Sequence, residues 1–122
     1  MPAEGSIYGY DEDTLVASAA RTTSGNSGVA SGYGTTSTLR VQLDVTAVAG
    51  TTPTLNVLVE DTLDGTNFNT IGTFAQRTAV GREVINVTTP FADRIRISWT
   101  VGGATPSFTF SVVCAAQSPM AA

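Results

Sequence analysis

The sequence predicts an all-β domain, an antiparallel β-sandwich of about seven to eight strands, immunoglobulin-like or jelly-roll-like, behind a flexible N-terminal arm. Three observations predict it. Thr supplies 20 of the 122 residues and Val is abundant; both are β-branched and stiff at the first side-chain torsion, which suits a pleated strand. Apolar and polar residues alternate in several stretches, the period of a strand with one buried face. Turn-forming clusters recur every eight to twelve residues or so, the spacing expected of a sandwich.

Residues 1–13 show no periodicity, with Pro2, Gly5 and Gly9 around Tyr8 and Tyr10 and then the acidic run Asp11-Glu12-Asp13. They read as the arm. The domain proper is expected over 14–116, with a frayed tail at 117–122. Leu15–Ala20 reads as a first strand, and a short edge strand is expected near Val29-Ala30, between the turn clusters Thr22–Gly28 and Gly32-Tyr33-Gly34. Leu39, Val41, Leu43 and Val45 then alternate with polar neighbours, as do Leu55, Val57 and Val59. Asp64-Gly65 marks a tight turn. Strands follow through Phe68–Phe74 and Val84–Val87, then through Ile95, Ile97, Trp99 and Val101, and last through Phe108, Phe110, Val112 and Cys114.

One repeat stands out. Val48–Val59 aligns without a gap on Val101–Val112, each copy carrying Gly-x-Thr-Pro between two strands. Upstream, Leu43–Thr46 matches Ile97–Thr100 only if Ala47 is an extra residue. The glycine can take a positive φ, and the proline removes a donor where no ladder bond is needed. Two copies are too few for a stacked array, so the expectation is two equivalent hairpins of one sandwich.

Composition excludes several functions. The net charge is −4 and the pI about 4.4, whereas a nucleic-acid partner calls for a basic stripe that releases counterions from phosphate. No apolar run approaches the roughly 20 residues of a membrane span, and the first residues lack the basic start and apolar stretch of a secretory signal. There is no His, so neither a Ser-His-Asp nor a Cys-His site can be built. Cys114 cannot form an intramolecular disulfide and shares a face with Phe108, Phe110 and Val112, as a small core hydrophobe would. The acids sit mostly in the arm and in turns, which is poor ground for a glycosidase pair. Glu60–Asn69 gathers oxygen ligands around a turn, but its spacing is not that of an EF-hand, and Asp, Gly and Asn serve a turn for backbone reasons alone. Trp99 is in phase with Ile95, Ile97 and Val101, as a core residue would be. Arg94 and Arg96 share the opposite face with Ser98 and Thr100, either a solvated strand face or an interface. No cofactor is expected, and no catalysis.

Several phrases resemble small virion-associated proteins of tailed phages: Leu15–Gly28, Val41–Val48, Asp64–Phe68, and Arg96–Thr100 with Thr105–Phe110. The resemblance spans residues 14–113 and leaves out the arm. It implies a β-sandwich virion component of the capsid decoration type, on the outer capsid surface and made in the host cytoplasm. Its partners would be the major capsid protein or other virion subunits, with a homotrimer on a local threefold axis as one arrangement; neither nucleic acid nor membrane is expected to be bound. A tail or head–tail joining protein of the same type is a variant of this reading; the first rival is a carbohydrate-binding or adhesin-like module, with Tyr33 and Phe91 as its loop aromatics, and the second a small carboxylate-dependent hydrolase. The candidate capsid-contact residues are Tyr8, Tyr10, Asp11, Glu12 and Asp13 in the arm, and Arg94 and Arg96 on the sheet.

Overall fold

Two strands, β3 (Thr38–Thr62, 25 residues) and β6 (Arg94–Gln117, 24 residues), run antiparallel from end to end in the computed structural model, which describes residues 10–34 and 36–117. This ribbon supplies the middle of both layers. In the first layer, residues 38–49 of β3 and 107–117 of β6 are flanked by β1 (Tyr10–Arg21) and β5 (Gly81–Val87), giving the order β1-β6-β3-β5. In the second, residues 94–102 of β6 and 54–62 of β3 are flanked by β2 (Gly25–Asn26) and β4 (Phe68–Thr73). Among the described residues the sequence segments thus resolve into six strands of an antiparallel all-β fold. The edge strand expected at Val29-Ala30 is a single bridge, Ala30 to Ile95.

The two copies of Gly-x-Thr-Pro are not hairpin loops. They are matching bends in β3 and β6, side by side, with Thr51 opposite Ala104 and Thr54 opposite Gly102. The expected pair of hairpins is therefore corrected to a pair of bent strands related by an approximate twofold axis. Each bend passes through positive φ twice: Gly50 (111°) and Thr52 (46°) in one strand, Gly103 (110°) and Thr105 (45°) in the other. Each threonine hydroxyl donates to the preceding carbonyl at 2.8 Å, Thr52 to Thr51 and Thr105 to Ala104. The extra Ala47 is absorbed by a register shift between Val45 and Ala47.

Alternation then fills the core. Leu39, Val41, Leu43, Val45, Leu55, Val57 and Val59 of β3 face Ile95, Ile97, Trp99, Phe108, Phe110, Val112 and Cys114 of β6 in one buried cluster. Trp99 and Phe110 lie on opposite arms of the bent β6 and meet edge to face, with centroids 5.5 Å apart, so the bend brings the two layers into contact. At the open side, a Cβ on Gly72 of β4 would stand 3.0 Å from Ile85 Cδ1 and 3.1 Å from Val87 Cγ2 of β5, so a side chain there would require those two to give way by a few tenths of an ångström.

The arm boundary also moves. Tyr10, Asp11, Glu12 and Asp13 are rungs of β1, opposite Gln117, Ala116, Ala115 and Cys114. The acidic run hid the strand, because a backbone ladder forms whatever side chains its residues carry. The rest of the expected arm, 1–9, and the tail from 118 lie outside the described residues. Further along, β1 shifts register twice, between Thr14 and Val16 and between Val16 and Ala19. Arg21 takes up carbonyls there, donating to Ala17 (2.9 Å), Ala19 (3.0 Å) and Phe110 (3.1 Å).

Two outcomes follow from this geometry. Gly103→Ala would place a Cβ 2.7 Å from the Thr52 carbonyl oxygen at a φ of 110°. It should lower the urea midpoint by the equivalent of about 2 kcal/mol or more, through strain and displacement of the partner strand. Gly28→Ala is the control, since its φ is also positive (76°) but nothing lies within 4 Å; equal losses would show that the close approach at the bend is not what demands glycine. Deletion of residues 1–9 should leave thermal stability nearly unchanged, whereas deletion of 1–13 should lower it by removing four rungs of β1. Equal melting temperatures for the two truncations would show that those rungs add nothing.

Candidate contact surface

Cross-strand pairs pattern the outer face of the first layer. Arg40 lies directly opposite Asn86 and donates to its Oδ1 at 3.1 Å; Asp44 lies opposite Arg82, with 3.8 Å between charges. Between them and β1 the face is concave. Two adjoining hollows, about 390 and 430 Å³, share Arg40 and Ala115; Glu12, Thr14, Gln42, Val84 and Val113 line the first, and Thr38, Asn86 and Thr88 the second. Both hollows are open and mixed in polarity.

Behind that face lies a buried polar contact. The Tyr33 hydroxyl donates to Asp13 Oδ2 at 2.8 Å and lies 3.9 Å from Cys114 Sγ. Burial first, and the neighbouring carboxylate second, push the Tyr33 phenol well above its ordinary value near 10. Tyr33, 3% exposed, is therefore core and no platform for a sugar, which removes one of the two loop aromatics from the carbohydrate reading. Its position is held locally: the Asp93 carboxylate accepts from the amides of Gly32 (3.3 Å) and Gly34 (2.8 Å) on either side.

The second layer's outer face carries Arg94 and Arg96. Arg96 Nε donates to Glu60 Oε1 at 2.8 Å while its guanidinium lies 3.4 Å above the centroid of Phe68. Arg94 donates to the Leu63 carbonyl at 3.1 Å. Both arginines thus brace the 62–68 turn. Within it Asp64 accepts from the amides of Thr66 and Asn67 (2.8 Å each), from Asn67 Nδ2 (2.7 Å) and from Thr62 Oγ1 (3.3 Å). These bonds, the backbone ones foremost, hold the Asp64 carboxyl well below the usual carboxylate range. The oxygen-rich turn is thus organised by its own donors, and among the described residues no group of three or more His, Cys, Asp or Glu could hold a metal ion.

The seven candidate contact residues are divided among these places. Tyr8 lies outside the described residues, and Tyr10 and Asp11 enter as backbone rungs of β1. Glu12 lines the hollow on the first layer, while Asp13 is bound to Tyr33. Arg94 and Arg96 are on the opposite side of the sandwich. Sequence reasoning missed Arg21, whose guanidinium lies 5.1 Å from the Trp99 centroid and 4.9 Å from that of Phe110; the only signal was an arginine closing a strand of small residues. Trp99 and Cys114 are buried, as their phase predicts.

No family model matches the sequence, and no curated protein matches it. Among solved structures, the chain is similar to one in a crystal structure of the T13 IBDV viral particle, with a TM-score of 0.56 and 14% identity over 92% of this chain. It is also similar to a chain of infectious bursal disease virus, Gx strain, with a TM-score of 0.53 and 13% identity over 90%. It spans about a third of the length of each matched chain, 31% and 32%. What the chain shares with them is the fold.

The buried phenol sets an alkaline limit. Unfolded tyrosine loses its proton near pH 10, whereas folded Tyr33 keeps it, so above that pH the unfolded state binds fewer protons and stability falls. With no Lys in the chain, few other groups titrate there. The slope attributable to Tyr33 should reach about 1.4 kcal/mol per pH unit, and Tyr33→Phe should flatten it while costing about 1 kcal/mol at neutral pH through the lost hydrogen bond. Urea unfolding from pH 8 to 11.5 would read this; parallel curves for the two proteins would refute it.

Proposed function

We propose that this chain is a non-enzymatic structural component of a virus particle and that, more narrowly, it is a decoration protein bound to the outside of a tailed-phage capsid. The observation that carries the reading is the likeness in fold to a virus-particle chain over 92% of the sequence. The phrases resembling tailed-phage virion proteins supply the narrower assignment.

In this reading the protein makes and breaks no covalent bond. It binds the assembled shell and not the free subunits, and so stabilises the shell by mass action. The partners are the major capsid protein or other virion subunits, and the location is the outer capsid surface. The contact runs from the N-terminal segment, with Tyr8, Tyr10, Asp11 and Glu12, onto the hollowed face of the first layer that Glu12 borders. Asp13 positions Tyr33 instead of meeting the partner, and Arg94 and Arg96 shape a second, rigid surface through Glu60, Phe68 and Leu63.

Titration onto capsids stripped of accessory proteins tests this. Saturable co-sedimentation is expected, with added density on the outer capsid surface in electron micrographs and weaker binding after deletion of residues 1–9. Density at the tail or the head–tail joint would replace the decoration role with a joining one, and an absence of saturable binding to any particle would overturn the reading.

A further inference from the structure

The four flanking strands differ in how they end the sheet. β1 breaks its register twice, β4 pairs across a shift between Val59 and Glu60, and β2 is two residues long. Bulged or very short edges resist addition of another strand. β5 has no such protection. Its seven residues pair with β3 in one unbroken register, from Leu39 opposite Val87 to Val45 opposite Gly81. Among the described residues no strand pairs with its other side, and no loop backbone bonds to it. A straight edge of this length presents a row of donors and acceptors about 20 Å long.

The sequence of that edge matches itself. When Gly81-Arg82-Glu83-Val84-Ile85-Asn86-Val87 is laid antiparallel on a second copy about a twofold axis at Val84, Val84 meets Val84, Arg82 meets Asn86 and Glu83 meets Ile85. No like charges face each other, which is the commonest obstacle to self-pairing. Val84 is 37% exposed at the rim of the first hollow, and Val80, just before the strand, is 60% exposed. Glu83, an inward charge of the kind that often guards an edge, is already occupied: its carboxylate accepts from the Ala75 amide at 3.1 Å and lies 4.0 Å from Arg77. Pairing would join two first layers into one eight-stranded sheet and set their hollows next to each other across the axis.

We infer that β5 is a homodimerisation edge, with a second copy of this chain adding antiparallel through Gly81–Val87 about an axis at Val84. The interaction needs no virus particle, so it stands or falls independently of the proposed function. Sedimentation equilibrium over a concentration series tests it. The full chain should approach a dimer, whereas Val84→Glu and Val84→Lys, each placing two like charges at the axis, should stay monomeric. Both variants should keep the parent melting temperature at concentrations where the parent is a monomer, because the side chain stands on the outer face. An equimolar mixture of the two should recover dimer, since opposite charges then meet. A parent that stays monomeric, a trimer, variants that associate as the parent does, or a mixture that stays monomeric would each overturn the inference.

Discussion

Because β3 and β6 remain paired while both turn from one layer into the other, neither can bend unless its neighbour bends at the same place. That mutual constraint governs the molecule. At the crossing, Gly50 lies against the carbonyl of Thr105 and Gly103 against that of Thr52; a Cβ on either glycine would come within 2.7 Å of the oxygen. Thr52 and Thr105 sit in the left-handed region, which costs a β-branched residue about 1–2 kcal/mol each. The return is large by comparison, since the bend lets each strand bury side chains in both layers, and every fully buried Val, Leu or Phe contributes about 1.5–3 kcal/mol.

The same ribbon explains why the fold is so non-local. β1 finds its partner about a hundred residues downstream, and the halves of each layer come from opposite ends of β3 and β6. Little of the sheet is held by adjacent hairpins, apart from β3–β4 through the Asp64 turn, so loop-closure entropy must be met before most native pairs form. The 62–68 turn is correspondingly well made: Asp64 satisfies two backbone donors, and Arg94 and Arg96 tie it to the neighbouring strand. It is the part of the second layer best able to form early.

The strand faces were legible because alternation is a local signal. Leu39–Val45, Leu55–Val59, Ile95–Val101 and Phe108–Cys114 each declare a buried side, and the structure places those residues in one core. The bends were legible as a repeat but not as bends. Gly-x-Thr-Pro reads the same in a hairpin loop, and only the pairing of one copy with the other distinguishes the two. Tyr10–Asp13 concealed a strand for a related reason: their pairing is made by backbone, and a run of consecutive acids carries no apolar period. Tyr33 looked like a loop aromatic between two glycines, yet those glycine amides, bound by Asp93, are what turn it inward. A docking surface is the least legible feature of all, because it is defined by a partner that the sequence does not contain.

The placement of charge bears on how such a surface can work. All six basic residues are arginines, and each is engaged within the chain: Arg21 with carbonyls, Arg40 with Asn86, Arg77 with Glu83, Arg82 with Asp44, Arg94 with Leu63 and Arg96 with Glu60. Recruiting Arg21 or Arg96 to a partner's carboxylate would first mean giving up close internal contacts, whereas the exposed Arg82–Asp44 pair, 3.8 Å apart, holds Arg82 only weakly. A protein arranged in this way is poorly suited to grip a partner through its cations. What it offers at little internal cost is shape, exposed valines and unpaired backbone, together with the acidic character of a net charge of −4. With these features, any contact the surface makes would rest on shape and backbone more than on ion pairs.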